Sequence, residues 1–310
     1  MNARTERLTA VGYGAGWSVV KALPEGFADR SFRQGADLAF RRRGPAVVQL
    51  ARNLHRVLGP DSTPAALSAV TQAGLRSYAR YWKETFRLPS MDKAAVARSF
   101  LGKLAGLHYA QEAMAAGRGV IMPLPHTANW DIAGLGMVAE FGGFSTVAER
   151  LRPASLYDRF VGYRESLGFE VLPLTGGVNP TTVLKQRLGE GKLVCLVADR
   201  DLSARGIQVD FFGEPTRMPA GPAMLAALTG AALLPTTLYF TDDGWAGDVA
   251  PPVELAGERL RDQVHDGTQK MADIFAAGIG EHPADWHMMQ PLWLADLKSR
   301  PGPTGLPDRS

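Results

Sequence analysis

One segment of the chain, GVIMPLPHTANWDIAGLGMVAEFG at residues 119–142, constrains the fold more than any other. It opens with an apolar run, residues 120–124, which is too short for a helix and is bounded by glycine and proline, so it predicts a buried strand. The chain then turns polar, and either Thr127 or Asn129 can cap a following helix. Apolar residues recur at helical spacing over residues 132–141. The segment therefore predicts a strand, a polar turn and a helix.

Two residues with catalytic potential, His126 and Asp131, lie on either side of this turn. Five positions apart on one helix, they would point to different faces. They can meet only if the histidine lies on the loop and the aspartate in the first helical turn. A carboxylate can then hold an imidazole for general-base catalysis. The alternative is a surface histidine beside a helix-capping aspartate, and the spacing alone does not decide between the two.

The composition is that of an ordinary globular protein, with 310 residues of which 45% are hydrophobic and 21% are charged. We expect a single domain over residues 1–297, followed by a disordered tail, residues 298–310, that is rich in Pro and Gly. The one cysteine, Cys195, lies in the apolar run LVCLVA. This excludes a disulfide framework and a metal cluster built from thiolates, and it fits a reducing, cytosolic setting.

The N-terminal part of the chain is basic. Residues 1–60 hold ten Lys or Arg against four Asp or Glu, a net charge of +6. Arg41, Arg42 and Arg43 lie between apolar segments, which favours an anionic lipid surface over nucleic acid, although a solvated charged face is the simpler interpretation. The uncharged stretch at residues 8–20 is shorter than the ~20 residues that a membrane span needs. We expect basic amphipathic helices that face a membrane without crossing it.

The remaining pattern predicts an α/β fold with a central, mostly parallel sheet flanked by helices and preceded by an N-terminal helical segment. Helices are expected at residues 8–23, 65–86 and 92–117, and later at 220–229 and 259–279. Between them, buried apolar runs alternate with further helical patterns. The expected strands after the first are FSTVAER, FEVLPL, KLVCLVA, IQVDFFG and ALLPTTLYF.

A second polar group, Asp199 and Asp201, follows the strand KLVCLVA. The carboxyl ends of strands are where open α/β sheets usually place their chemistry. Asp-x-Asp can also hold Mg²⁺ or Mn²⁺ in a nucleotide-sugar site, although three residues are a weak signal. Neither GxSxG nor a complete phosphate-binding loop occurs in the sequence. His126 therefore has no obvious protein nucleophile to activate, which suggests that the substrate supplies one.

The motif HTANWD resembles the HX4D motif of the glycerolipid acyltransferases, and most closely the form used by bacterial lipid A late acyltransferases, which has an aromatic residue before the acid. Further blocks follow that family in order, over roughly residues 45–295. A front membrane span, which the lipid A enzymes carry, is not evident, and the composition looks actinobacterial. The blocks are AERLRP, YRESLG, VADRDLSARGIQVDFFGE, GAALLPTTLYF and EHPADWHMMQPLW.

The resemblance implies transfer of a fatty acyl chain, such as palmitoyl, from acyl-CoA to a mannose hydroxyl of a mannosylated phosphatidylinositol. It implies no metal and no cofactor, no nucleic-acid partner, and a peripheral enzyme of phospholipid biosynthesis at the cytoplasmic face of the plasma membrane (the cell inner membrane). It gives His126 the role of general base and Asp131 that of its partner. The substrate-binding residues that it implies are Glu149, Arg164, Asp199, Asp201 and His282.

Two other functions compete with this interpretation. A metal-dependent sugar-nucleotide glycosyltransferase built on Asp199 and Asp201 would lose its activity on chelation and regain it with Mn²⁺. A lipid-binding protein without enzymatic activity would keep its function when His126 is replaced by alanine. The sequence alone therefore leaves all three functions open.

Overall fold

A computed structural model describes most of the chain. The helix expected at residues 8–23 and the tail expected at 298–310 lie almost entirely outside the described part, except that Lys298 ends the last helix. The division into one domain and a tail therefore stays a prediction. The described residues are 20–21, 23–150, 154–201 and 205–298.

Several helices begin where the sequence supplies a cap or a proline. Thr63 caps the third helix, with its side chain accepting a hydrogen bond from the Ala66 amide, and Pro64 occupies the first helical position. In chain order the helices are α1 (Glu25–Arg42), α2 (Pro45–Leu58), α3 (Pro64–Arg87), α4 (Lys93–Leu101), α5 (Leu107–Ala115), α6 (Trp130–Phe141), α7 (Ala154–Glu165), α8 (Pro180–Gly189), α9 (Gly221–Thr229), α10 (Leu260–Glu281) and α11 (Leu294–Lys298).

The strands form three sheets within the described part of the chain. A five-stranded sheet has the order β4-β3-β5-β2-β8, a three-stranded sheet has the order β1-β10-β9, and β6 pairs with β7. In chain order the strands are β1 (Leu104–Ala105), β2 (Val120–Leu124), β3 (Phe144–Ala148), β4 (Phe169–Pro173), β5 (Leu193–Val197), β6 (Ile207–Phe211), β7 (Glu214–Met218), β8 (Ala232–Leu233), β9 (Thr236–Thr241) and β10 (Gly244–Val249).

The five-stranded sheet confirms the predicted α/β fold. All of its pairs are parallel, and every residue of β2 is buried. Helices supply the crossovers between its strands, as parallel pairing requires. The pairing of β2 with β5 runs in register as far as Leu124 opposite Val197. The residues that follow these two central strands therefore emerge side by side at the same edge of the sheet.

The prediction of one helix over residues 92–117 is wrong. The chain forms α4, then the short strand β1, then α5. Gly106 has a φ of 70°, and a Cβ at this position would collide with the carbonyl oxygen of Val249. Only glycine tolerates this left-handed turn and close approach, so the helical pattern is interrupted there.

The run ALLPTTLYF was expected to form one strand, but it divides between two sheets. Residues 232–233 form β8 of the parallel sheet, and β9 begins after Pro235 and pairs antiparallel with β10. Proline lacks the N–H that a continuous ladder would need. Neither β7 nor β10 was predicted from the sequence. Among the described residues, no helix is both long enough and apolar enough to cross a membrane.

Candidate active site

The loop between β2 and α6 carries His126 and has an unusual backbone. Ala128 has a φ of 44°, in the left-handed region that residues with a side chain rarely adopt. Its amide donates to the carbonyl oxygen of Asp285 at 2.9 Å, which holds this conformation in place. Asn129 then caps α6, because its side-chain oxygen accepts the Ile132 amide at 3.2 Å. The predicted strand, polar turn and capped helix are thus confirmed.

A segment near the C-terminus, residues 285–287, holds this loop from outside. Besides the contact to Ala128, the His287 amide donates to the His126 carbonyl oxygen at 2.8 Å, and Thr127 forms an isolated β-bridge with Trp286. Backbone hydrogen bonds of this kind leave the loop little freedom. The backbone of the loop that carries His126 is therefore held by residues about 160 positions further along the chain.

The carboxylate that contacts His126 is Asp199, which follows β5. Its Oδ1 lies 2.5 Å from Nδ1 of His126, and its Oδ2 accepts the His126 amide at 3.0 Å. The indole N–H of Trp286 donates to the same Oδ2 at 2.9 Å. Both carboxylate oxygens are thus bonded to N–H donors, and the Asp199 side chain is fully buried.

The surroundings of Asp199 favour its ionised form. Burial alone would raise its pKa, but the charge of His126 and the hydrogen bonds from His126 and Trp286 outweigh burial, and the pKa lies below its ordinary value. An ionised Asp199 accepts a hydrogen bond from the Nδ1–H of His126, so in the neutral ring Nε2 carries the lone pair. The His126 side chain is 33% exposed. The ring is therefore arranged to accept a proton at Nε2.

The prediction that Asp131 holds the His126 imidazole differs from the structure. Asp131 lies in the first turn of α6, as expected, but its Oδ1 accepts a hydrogen bond from Nε of Arg164 at 2.8 Å. Its Oδ2 lies 3.4 Å from the hydroxyl of Tyr81 and 3.5 Å from that of Thr85. Asp131 is directed away from the loop because it belongs to the buried face of the helix, where Arg164 compensates its charge.

Arg164 on α7 is the cation of this buried pair. Desolvation would lower the pKa of its guanidinium, but the charge of Asp131 and the hydrogen bond to Asp131 outweigh desolvation and raise the pKa. The guanidinium therefore stays charged. The neighbouring Tyr81 has a pKa well above its ordinary value, first because of burial and then because of Asp131, so its phenol stays neutral.

His126 opens into a cleft, which we call the His126 cleft. The charged residues and histidines that line it are His126, Glu149, Arg164, Arg200 and His287, and aromatic and aliphatic side chains line most of the rest. Arg200 lies 3.8 Å from Glu149, a long ion pair with Glu149 mostly exposed. The aromatic lining residues are Tyr78, Tyr81, Trp82, Trp130, Tyr157 and Phe160.

An apolar cavity adjoins the His126 cleft, beneath the central sheet. The two share Trp130, Val147, Arg164 and Val197 in their walls. The cavity lies among side chains of the main hydrophobic core, and its polar lining residues include Asp131 and Arg164. Its apolar lining includes Phe100, Leu104, Met122, Leu124, Met137, Phe144, Phe169 and Leu238. An apolar space therefore lies next to the polar cleft that holds His126.

Two of the predicted site residues lie elsewhere. Asp201 accepts the Gly206 amide at 2.7 Å, next to the start of β6. The ring of His282 stacks on Tyr239, with centroids 3.9 Å apart. Neither residue lines the His126 cleft, whereas Glu149, Arg164 and Asp199 meet there with His126. The family resemblance implied both residues, but the side chain of each makes its contact outside the cleft.

A metal site built on Asp199 and Asp201 does not fit this geometry. The oxygens of Asp199 are taken by His126 and Trp286, and Oδ2 of Asp201 is bonded to the Gly206 amide. Within the described ranges, no group of three or more His, Cys, Asp or Glu side chains is arranged to hold a metal ion. The Asp-x-Asp pattern therefore has a different explanation here, in which its first residue supports His126.

The sequence did not predict two features of the site. One is the contact between Asp199 and His126, and the other is the hydrogen bond from Trp286 to Asp199. The sequence signal for the pairing was present, because both residues stand two positions beyond the end of a buried strand. For Trp286 no local signal exists, since its indole reaches Asp199 across 87 positions of the chain.

Comparison with known proteins decides the family. A family model described as bacterial lipid A biosynthesis acyltransferase matches residues 4–295. The chain belongs to this acyltransferase family.

The chain is 51% identical over 294 residues to a phosphatidylinositol mannoside acyltransferase from Mycolicibacterium smegmatis. The aligned residues cover 94% of this chain and 93% of the relative. It is also 51% identical over 296 residues to the phosphatidylinositol mannoside acyltransferase of Mycobacterium tuberculosis strain H37Rv, covering 94% and 91% of the two chains. Family membership and this similarity confirm the resemblance drawn from HTANWD and the ordered blocks.

Proposed function

We propose that this acyltransferase moves a fatty acyl chain, such as palmitoyl, from acyl-CoA to a mannose hydroxyl of a phosphatidylinositol mannoside. The observation that carries the proposal is the His126–Asp199 pair, which faces a cleft that lies beside an apolar cavity. The similarity to phosphatidylinositol mannoside acyltransferases suggests the acceptor class. The proposal combines this acceptor with a base and an apolar space that suit its chemistry.

The first chemical step forms the new ester bond. The mannose hydroxyl oxygen attacks the thioester carbonyl carbon while Nε2 of His126 takes the hydroxyl proton. Asp199 holds the ring through Nδ1 and stabilises the imidazolium that forms. A positioned base of this kind contributes about 10²–10⁴ in rate, because a sugar hydroxyl is a poor nucleophile at neutral pH.

The second step breaks the C–S bond. The tetrahedral oxyanion collapses, the CoA thiolate leaves, and the His126 imidazolium returns the proton to the sulfur. The products are the acylated glycolipid and free CoA, so no atom is left unaccounted for. We assign stabilisation of the oxyanion to the cations that line the cleft, Arg164 and Arg200, since positive groups near developing negative charge lower the barrier.

The apolar cavity beside the His126 cleft is where we place the acyl chain. Burying a methylene group gains about 0.8 kcal/mol, so a long chain needs a continuous apolar space. A second apolar space, an open groove between α1 and α3, lies on the other side of the aromatic residues of α3. Tyr78, Trp82 and Met289 line both that groove and the cleft. We assign this open, apolar groove to lipid tails from the membrane.

The N-terminal helices are the part that we assign to the membrane surface. Arg41 and Arg42 are the last two residues of α1, and Arg43 is its C-cap. All three are exposed. Exposed apolar side chains occur on α1 and α2, where Phe27 is 59%, Leu38 is 46% and Val48 is 40% exposed. Cations beside exposed apolar side chains favour an anionic leaflet. We therefore propose a peripheral enzyme at the cytoplasmic face of the plasma membrane.

The two competing functions are less well supported. A metal-dependent glycosyltransferase would need Asp199 to bind a cation, but its oxygens are bonded to His126 and Trp286. A lipid-binding protein without activity would have no use for a buried carboxylate beneath a partly exposed histidine. The geometry therefore favours an acyltransferase.

Incubation with radiolabelled palmitoyl-CoA and a panel of mannosylated phosphatidylinositols tests the proposal. We expect a labelled product from these acceptors, unchanged by chelation, and none from phosphatidylinositol without mannose. A matched incubation with palmitoyl-acyl carrier protein compares the two donor classes. Activity that is lost on chelation and restored by Mn²⁺, or label in the unmannosylated lipid only, would contradict the proposal.

A further inference from the structure

The indole of Trp286 is bonded to the far side of the His126–Asp199 pair. Its N–H donates to Oδ2 of Asp199 at 2.9 Å, while Oδ1 of the same carboxylate contacts Nδ1 of His126 at 2.5 Å. The Trp286 side chain is fully buried, in a hydrophobic cluster at the C-terminal end of the domain. The three side chains form one hydrogen-bonded row from the cleft into this core.

We propose that Trp286 is a positioning residue for the reaction, which sets how strongly Asp199 stabilises the protonated ring of His126. The proposal rests on the proposed function in one respect, because it takes His126 as the base. Trp286 itself touches neither substrate nor reacting atoms and acts only through Asp199.

The physical reason is that the carboxylate divides its charge among its donors. An indole N–H on Oδ2 stabilises the carboxylate and so reduces its attraction for the proton of His126. The indole also fixes the rotation of the carboxylate, together with the His126 amide on the same oxygen. Removing the indole N–H leaves more negative charge for the imidazolium, so protonated His126 becomes more stable.

Other charged and titratable groups face this row. The cleft around His126 is lined by Glu149, Arg164, Arg200 and His287. Tyr81 and Asp131 lie on the neighbouring helices. A substitution confined to the indole leaves all of these groups in place. Their electrostatic effect on His126 is therefore the same in the variant and in the wild type.

The chain offers a matched control in Trp293. It is fully buried in the same cluster, and its ring centroid lies 6.0 Å from that of Trp286. Its indole N–H also makes one hydrogen bond, at 3.0 Å, but to the carbonyl oxygen of Phe211. Trp293→Phe therefore removes an equivalent side chain and hydrogen bond from the same core without touching Asp199.

The experiment is an NMR titration of the histidine rings in the full-length wild type, Trp286→Phe and Trp293→Phe. In Trp286→Phe we expect the titration midpoint of His126 to rise by about half to one pH unit, and the acid limb of acyl transfer against pH to move with it. In Trp293→Phe we expect thermal stability to fall with no such shift. A midpoint that stays, falls, or moves equally in both variants would overturn the proposal.

A measurement on the wild type keeps the test decisive if Trp286→Phe does not fold. The indole N–H resonance of Trp286 should titrate with the same midpoint as His126, because protonation of the ring draws charge away from Asp199. The indole N–H of Trp293 should not follow it. A Trp286 resonance that does not change when His126 is protonated would overturn the inference. Absence of acyl transfer in the wild type would overturn only the proposed function.

Discussion

Nδ1 of His126 lies 2.5 Å from Oδ1 of Asp199, although 73 positions separate the two residues in the chain. The register of the central sheet explains the contact. Leu124 ends β2 opposite Val197 at the end of β5, and each functional residue stands two positions further on. Parallel neighbours that end at the same level deliver their next residues to the same place.

The first prediction concerns Asp199. Asp199→Asn keeps the shape but removes the charge that stabilises the imidazolium, and we expect acyl transfer to fall by about 10²–10⁴. Steady-state kinetics with palmitoyl-CoA checks this, and the fall should appear in kcat more than in the KM of the donor. Asp201→Asn is the matched control and should keep most of its activity. Equal losses in the two variants would remove the special role of Asp199.

The second prediction concerns the buried pair of Asp131 and Arg164. Removing one partner leaves the other charge buried and uncompensated, which typically costs about 3–5 kcal/mol. Arg164 is partly exposed to the cleft, so we expect Asp131→Asn to lower the free energy of unfolding by about 2–3 kcal/mol after allowance for solvent screening. Urea unfolding checks this value.

A double variant separates the charge from the shape in this pair. Asp131→Asn combined with Arg164→Met should be more stable than Asp131→Asn alone, because no unpaired charge remains. Strictly additive losses would show that the ion pair contributes nothing of its own.

The third prediction follows from His287. Burial, and then the charge of His126, lowers the pKa of His287 to about 3. The folded protein therefore holds this ring neutral, whereas the unfolded chain protonates it below about pH 6.5. Because the unfolded state binds the extra proton, stability is complete above pH 6.5 and decreases as the pH falls towards 3.

Urea unfolding at two pH values tests this dependence. Between pH 7.5 and pH 5.5 the wild type should lose about 1.4 kcal/mol through this ring. His287→Gln should lack that part of the loss, while His265→Gln, at an exposed position, should keep it. The same pH dependence in wild type and His287→Gln would contradict the assignment of a neutral buried ring.

The fourth prediction concerns the exposed arginines at the end of α1. Replacing Arg41, Arg42 and Arg43 with Gln should weaken binding to vesicles that contain phosphatidylinositol, by up to about 100-fold at about 1 kcal/mol for each cation. Co-sedimentation at low and high salt checks this, since screening should weaken wild-type binding too. The control replaces three other exposed cations, Lys185, Arg259 and Arg261. Equal binding to neutral and anionic vesicles would refute the electrostatic part.

The fold was largely predictable because its central strands are short, buried apolar runs bounded by glycine and proline. The errors occur where tertiary contacts override local pattern. Gly106 breaks a helical pattern because its backbone approaches Val249, and Pro235 divides one apolar run between two sheets. Neither effect can be read from periodicity.

The candidate site was only partly predictable for a related reason. His126 was identified from its own motif, but the partner suggested by that motif, Asp131, pairs with Arg164 instead. The contact to Asp199 depends on which strands are neighbours, and that to Trp286 on how the C-terminal segment packs over the loop. Strand order and long-range packing are properties of the whole fold, which local spacing does not contain.

The most direct test of the account is the rate of acyl transfer in His126→Ala under single-turnover conditions, with palmitoyl-CoA and a phosphatidylinositol mannoside. We expect a loss of at least about 10²-fold, in a protein that stays folded and binds the donor unchanged, because the side chain is partly exposed on a loop held by backbone contacts. Transfer within about tenfold of the wild type, in a folded protein that still binds the donor, would contradict general-base catalysis by His126.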